Sequence, residues 1–132
     1  MKTGFRNAVA LTAAFISLLW LFELLDLSFG LNLSRLGVYP RELQGLPGIL
    51  AAPLIHGGWL HLASNSFALL VLGTVLCYGY PRTALPLLVL VWLGSGIGVW
   101  LFARESYHFG ASGLTHGLMF FIFVSGILRH DR

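Results

Sequence analysis

The sequence predicts an all-α bundle of four membrane-spanning helices, and three observations carry that prediction. Of the 132 residues, 57% are hydrophobic and 10% are charged, where an ordinary soluble domain carries about 25% charge. Mean hydropathy is +0.82. The apolar residues fall into four runs, each near the roughly 20 residues that cross a bilayer as a helix. This size holds one bundle and not two domains. The net charge of +3 is too small to indicate nucleic acid; in a membrane protein Lys and Arg gather on cytoplasmic loops instead. The one cysteine, Cys77, lies in an apolar run and cannot form an internal disulfide. It reads as a small buried apolar side chain.

The first run follows a short start containing Lys2 and Arg6 and spans about residues 8–26. It begins like a signal peptide, but no small-residue cleavage site precedes Glu23 and Asp26, so an uncleaved spanning helix is expected. Both carboxylates are then expected at its far end, near water. Residues 28–60 differ in character, with Gly30, Gly37, Pro40, Pro47 and Pro53 among their breakers. The stretch is too long for a turn and too broken to span. Its apolar residues (Leu46, Ile49, Leu54 and Trp59 among them) argue against disorder, so a structured interfacial loop is expected, with short helical pieces and Trp59 at headgroup level.

The second spanning helix is expected at about 61–79 and opens on His61, Ser64 and Asn65. Tyr78 to Arg82 makes the turn to a third helix at about 84–103. Within it Gly94 and Gly98 stand four apart, a spacing that lets a neighbouring helix approach. The fourth helix is expected at about 112–128, and Arg129-His130-Asp131-Arg132 ends the chain. Placing the N-terminus in the cytoplasm puts Lys2, Arg6, Arg82, Arg129 and Arg132 inside and leaves Arg35, Arg41 and Arg104 outside. That is the bias expected of short cytoplasmic segments. In this orientation the second and fourth helices both start on the outer side, where His61, Asn65 and Ser112 can meet.

Ser112 sits in Gly110-Ala111-Ser112-Gly113, between a polar loop and an apolar helix. Such a serine is either a helix cap or a nucleophile. His61 and Asn65, at i and i+4, share a helix face. Polar side chains at that depth either hydrogen-bond between helices or mark a functional site. The free N–H groups and positive dipole end at the start of the fourth helix favour a developing anion. Acyl transfer needs a nucleophile together with donors aimed at a tetrahedral oxyanion. Ser112, its own N–H, the Asn65 amide and the His61 imidazole form such a set. Gly110 and Gly113 leave room for close approach.

These residues resemble the signature of the rhomboid family of intramembrane serine proteases. The family pairs Gly-x-Ser-Gly at the start of its fourth helix with His-x-x-x-Asn at the start of its second. Here the counterparts are Gly110-Ala111-Ser112-Gly113 and His61-Leu62-Ala63-Ser64-Asn65. The lead into the second helix, Pro53 to His61 with His56 inside it, is similar too, as is the long first loop. The resemblance implies a rhomboid-like fold, the N-terminal four helices of a six-helix core. It implies Ser112 as nucleophile, His61 and Asn65 as oxyanion-hole donors beside the Ser112 N–H, and Gly110, Gly113, His56 and His116 as supporting residues. It also implies transmembrane protein substrates cleaved near the outer face of a bacterial inner membrane, no cofactor and no metal.

One element of the family pattern is missing. Rhomboids take their general base from a histidine of the sixth helix, within Ala-His-x-x-Gly, and a serine without a base is a poor nucleophile. Among the five histidines, His61 and His56 have other roles by resemblance, and His130 falls on the opposite membrane side. His108 lies in a loop at an unconstrained position. His116, at i+4 from Ser112, can touch it but is expected to pack or hydrogen-bond. The chain is therefore expected to be an N-terminal portion that does not cleave substrates alone. Two other classes stand beside this one. A non-catalytic rhomboid-like protein would bind membrane clients without needing Ser112. A small transporter component would need a polar face through the bilayer, whereas the second and fourth helices turn largely apolar after their first turns. A zinc site from His56, His61 and His108 matches no ligand spacing.

Overall fold

The computed structural model describes residues 4–130. Four long helices carry the fold: α1 (Phe5–Phe29), α3 (Trp59–Gly79), α4 (Ala84–Phe102) and α5 (Ser112–His130); a single turn, α2 (Gly48–Ala51), lies in the first loop. All four long helices have the length and apolar composition to cross a membrane. The described residues contain no strand beyond one isolated bridge between Val38 and His108, so the bundle is all-α. The chain is an integral membrane protein.

The helices alternate in direction. The end of α1, the start of α3, the end of α4 and the start of α5 therefore share one end of the bundle. α3 packs between α1 and α5, and α4 packs on α5. Leu19, Leu62, Leu69, Leu76, Leu114 and Leu118 form the buried centre. Close approach is made at glycines. A Cβ on Gly73 would lie 2.9 Å from Thr12 Cγ2, and one on Gly96 would lie 2.8 Å from Ile49 Cγ2. Gly117 of α5 likewise lies against Val91 of α4. The expectation for Gly94 and Gly98 is corrected here, since nothing lies within 4 Å of a Cβ at either. They sit two residues from Gly96, about 200° around the helix, so the packed face is that of Gly96.

The first loop is structured by bonds to α4 and to the segment before α5. Val38 and His108 exchange backbone hydrogen bonds of 2.8 and 2.9 Å. The Arg41 N–H donates to the Trp100 carbonyl at 2.9 Å, and its guanidinium donates to the Ala103 carbonyl at 2.8 Å. The indoles of Trp92 and Trp100 return bonds to the carbonyls of Leu50 and Glu42. The loop thus forms a shelf over one side of the shared end. On the other side, Trp59 stacks on Trp20 with ring centroids 5.5 Å apart.

Glu23 departs from the expectation. It is 3% exposed instead of lying at water. The reason is that α1 continues to Phe29, which leaves Glu23 more than a turn below the helix end and facing α3. Asp26 does meet the loop, where its Oδ1 accepts the Leu33 N–H at 3.1 Å.

Candidate active site

The segment entering α5 is held from two directions. The Gly110 N–H donates to the Ala52 carbonyl at 2.8 Å. The Ala111 N–H donates to His56 Nε2 at 3.3 Å. Ala111 is fully buried, and its carbonyl accepts the Thr115 N–H at 3.0 Å. Ala111 therefore occupies the cap position, and Ser112 is the first helical residue. A capping serine would supply that first carbonyl itself, so capping does not account for Ser112. The N–H groups of the opening turn have no intrahelical acceptor. The half-buried Ser112 lines a cavity of about 250 Å³ together with Ser95, Gly96, Phe109, Gly110 and Gly113.

His61 and Asn65 lie on the first two turns of α3. The His61 ring packs on Gly110, whose φ is +111°; a Cβ there would lie 2.6 Å from His61 Cε1 and 3.0 Å from Nε2. Only glycine combines this left-handed backbone with so close an approach. Asn65, one turn deeper, is 6% exposed. Its Nδ2 has no hydrogen-bond partner among the described residues. Buried amide donors are nearly always paired, so this donor is one that a ligand could satisfy. Gly113 brings α5 onto α4, since a Cβ on it would lie 3.0 Å from Ser95 Cβ.

The remaining histidines are each accounted for. His116 Nδ1 lies 2.6 Å from the Ser112 carbonyl oxygen, to which Thr115 Oγ1 also donates; it meets the backbone and not the hydroxyl. His108 is not unconstrained as expected. Its backbone is paired with Val38, and its Nε2 meets the Arg104 carbonyl at 2.9 Å and the Ser106 hydroxyl at 3.2 Å. His130 ends α5, about 27 Å along the helix from Ser112 at 1.5 Å per residue. Among the described residues, no histidine is thus seen to hold the Ser112 hydroxyl, and no group of three His, Cys, Asp or Glu could hold a metal ion.

His56 is 2% exposed and meets the edge of His61 at 5.2 Å between centroids. Burial, with a smaller contribution from the His61 charge, lowers its pKa to about 4 from 6.5. Its Nε2 accepts from Ala111, so the neutral ring carries its proton on Nδ1, which faces the Leu54 carbonyl without meeting hydrogen-bond geometry. Protonating Nε2 would set two donors against each other. Between pH 6.5 and about 4 the unfolded chain binds a proton that the folded site refuses. Stability is therefore full above this window and falls as pH drops through it, by up to about 3 kcal/mol. Thermal unfolding across this range should show the fall, and His56→Gln, which keeps an acceptor but does not titrate, should flatten it. An equal fall in the Gln variant would contradict this account.

Three neighbours of the site are not apparent from sequence patterns. Ser95 and Gly96 line the cavity; their signal lay in the Gly-Ser-Gly cluster of α4, but choosing the packed face requires the rotation of that helix. Phe109 closes over Gly57, where a Cβ would lie 2.9 Å from the Phe109 ring. Only the fold brings those two together.

Residues 44–132 match the family model described as the Rhomboid domain. An uncharacterized protein of Mycobacterium tuberculosis (strain ATCC 25618 / H37Rv) is 35% identical over 119 residues, covering 86% of this chain and 50% of its own length. One of Mycobacterium bovis shows the same identity and coverage. One of Mycobacterium leprae is 32% identical over 119 residues, covering 86% of this chain and 47% of its own length. The chain thus spans about half the length of the curated relatives it matches. No solved structure matches it.

Proposed function

Since the chain belongs to the rhomboid family, whose members are generally intramembrane serine proteases, we propose that it carries the nucleophile half of an intramembrane serine endopeptidase. The observation that carries this reading is the start of α5. Ser112 stands there as the first helical residue, with Ala111 as cap, His61 packed on Gly110 and the buried Asn65 amide donor without a partner among the described residues. Ser112 Oγ attacks the scissile carbonyl carbon of an unwound transmembrane segment. The Ser112 N–H, the Asn65 amide and the His61 ring hold the oxyanion as the tetrahedral intermediate forms. A general-base histidine takes the serine proton and returns it to the leaving amine; water then releases the acyl group. That histidine is not one of the described residues, so the 132-residue chain is inactive alone. The N-terminus lies in the cytoplasm of a bacterial cell, and cleavage occurs near the outer face. No cofactor is used.

A second reading, a non-catalytic binder of membrane clients, is favoured by the lack, among the described residues, of a histidine on the Ser112 hydroxyl. A transporter has less support. The groove of about 760 Å³ between α1 and α4 is lined almost wholly by apolar side chains, with Thr12 and Cys77 as the exceptions.

The test is covalent. The chain is continued by whatever residues of the Mycobacterium tuberculosis relative follow the matched stretch, and the product is treated with a fluorophosphonate. An adduct on Ser112, absent from Ser112→Ala, is the expected result. An extended, folded protein that takes up no probe would favour the binder.

A further inference from the structure

A carboxyl group buried within a spanning helix is uncommon and almost always has a partner and a role. Glu23 is such a group, at 3% exposure. It lies one turn beyond Trp20, whose indole stacks on Trp59 and donates to Ser66 Oγ at 3.0 Å. These contacts place that part of α1 beside the first turns of α3. Beside the Glu23 carboxyl lie Asp26 of its own helix, the His61 ring and the Gly58 backbone amide, the last without meeting hydrogen-bond geometry.

The start of α3 needs an acceptor. Gly58 occupies its cap position with φ 135° and has no side chain to offer. The amides of the opening turn have no intrahelical acceptor, and the positive end of the helix dipole favours an oxygen acceptor there. α1 already supplies such an acceptor once, where Asp26 takes the Leu33 N–H that follows its own helix.

We propose that Glu23 is a positioning residue that caps α3 from the neighbouring helix and so fixes the direction in which His61 meets Gly110. His61 is the third residue of α3, within the turn being capped. Its ring lies so close to Gly110 that a Cβ there would come within 2.6 Å of it. A small rotation of that turn would separate them. The catalytic consequence rests on the proposed role of His61 as an oxyanion donor; the capping does not.

The test uses the 132-residue chain in lipid nanodiscs, with two readouts that need no catalysis: amide hydrogen exchange over residues 58–61 and the ring resonances of His61. Glu23→Met keeps the size and removes the acceptor; Glu23→Gln keeps an acceptor oxygen. The Met variant is expected to raise exchange over 58–61 by about fivefold, the equivalent of one lost helix cap, and to shift the His61 resonances. The Gln variant should stay near wild type in both. Wild-type protection in the Met variant would overturn the proposal, as would a Gln variant as disturbed as the Met one. If the Met variant fails to fold, Glu23→Ala takes its place, with the same expected and contradicting results. In the extended protein, loss of the cap with turnover intact would remove His61 from the oxyanion hole and leave the capping role standing.

Discussion

Replacing Asn65 with alanine is expected to slow turnover of the extended protein about 100- to 1,000-fold, the loss typical of one oxyanion donor, without unfolding the bundle. The two halves of that expectation have one cause. Asn65 is buried at 6% exposure, and its Nδ2 has no partner among the described residues. Deleting a paired buried donor would leave an acceptor stranded and cost stability. Deleting an unpaired one strands nothing in the resting protein, so the thermal midpoint should move little. The loss appears only when charge develops on the substrate oxygen, and it should therefore fall on kcat. Unchanged turnover would remove Asn65 from the site. A large drop in stability with normal kcat would make it an interhelical packing residue.

Replacing Gly110 with alanine should be of similar severity for a different reason. Its φ of +111° is one that L side chains rarely adopt, and the new Cβ would lie 2.6 Å from His61 Cε1. The backbone strain is worth about 1–3 kcal/mol, and the His61 ring must move away from the start of α5. Turnover is expected to fall at least about 100-fold, on the scale of a lost oxyanion donor, with a change in the His61 ring resonances. Gly30→Ala is the control. It is also strained, at φ 60°, but nothing lies within 4 Å of its Cβ. It should cost stability and leave turnover in place. Full turnover in the Gly110 variant would mean that the contact with His61 is not used.

The parts of this molecule that are legible in its sequence are those written in composition and local breakers. Four apolar runs, separated by Gly- and Pro-rich segments, announce four spanning helices, because a helix in lipid must satisfy its own backbone. The motif residues announce themselves by being polar where the chain is otherwise apolar. What stays hidden is rotation. These helices are apolar nearly all round, so their sequences do not mark a buried face as an amphipathic helix does. That is why Gly96 and not Gly94 or Gly98 makes the close contact with the first loop. Glu23 is hidden for a related reason, since its burial depends on α1 reaching Phe29 and on which side of it meets α3. His108 is fixed by a backbone pairing with Val38, seventy residues away in the chain, and no local pattern signals such a pairing.

On the function proposed above, Ser112 is a nucleophile awaiting a histidine that is not among the described residues. Intact-mass measurement after fluorophosphonate treatment separates the possibilities, comparing the 132-residue chain with the chain extended by the residues that follow the matched stretch in the mycobacterial relative. The account predicts one adduct, on Ser112, in the extended protein and none in the 132-residue chain. An adduct on Ser112 of the shorter chain would contradict the missing base, and no adduct on either folded protein would contradict the nucleophile.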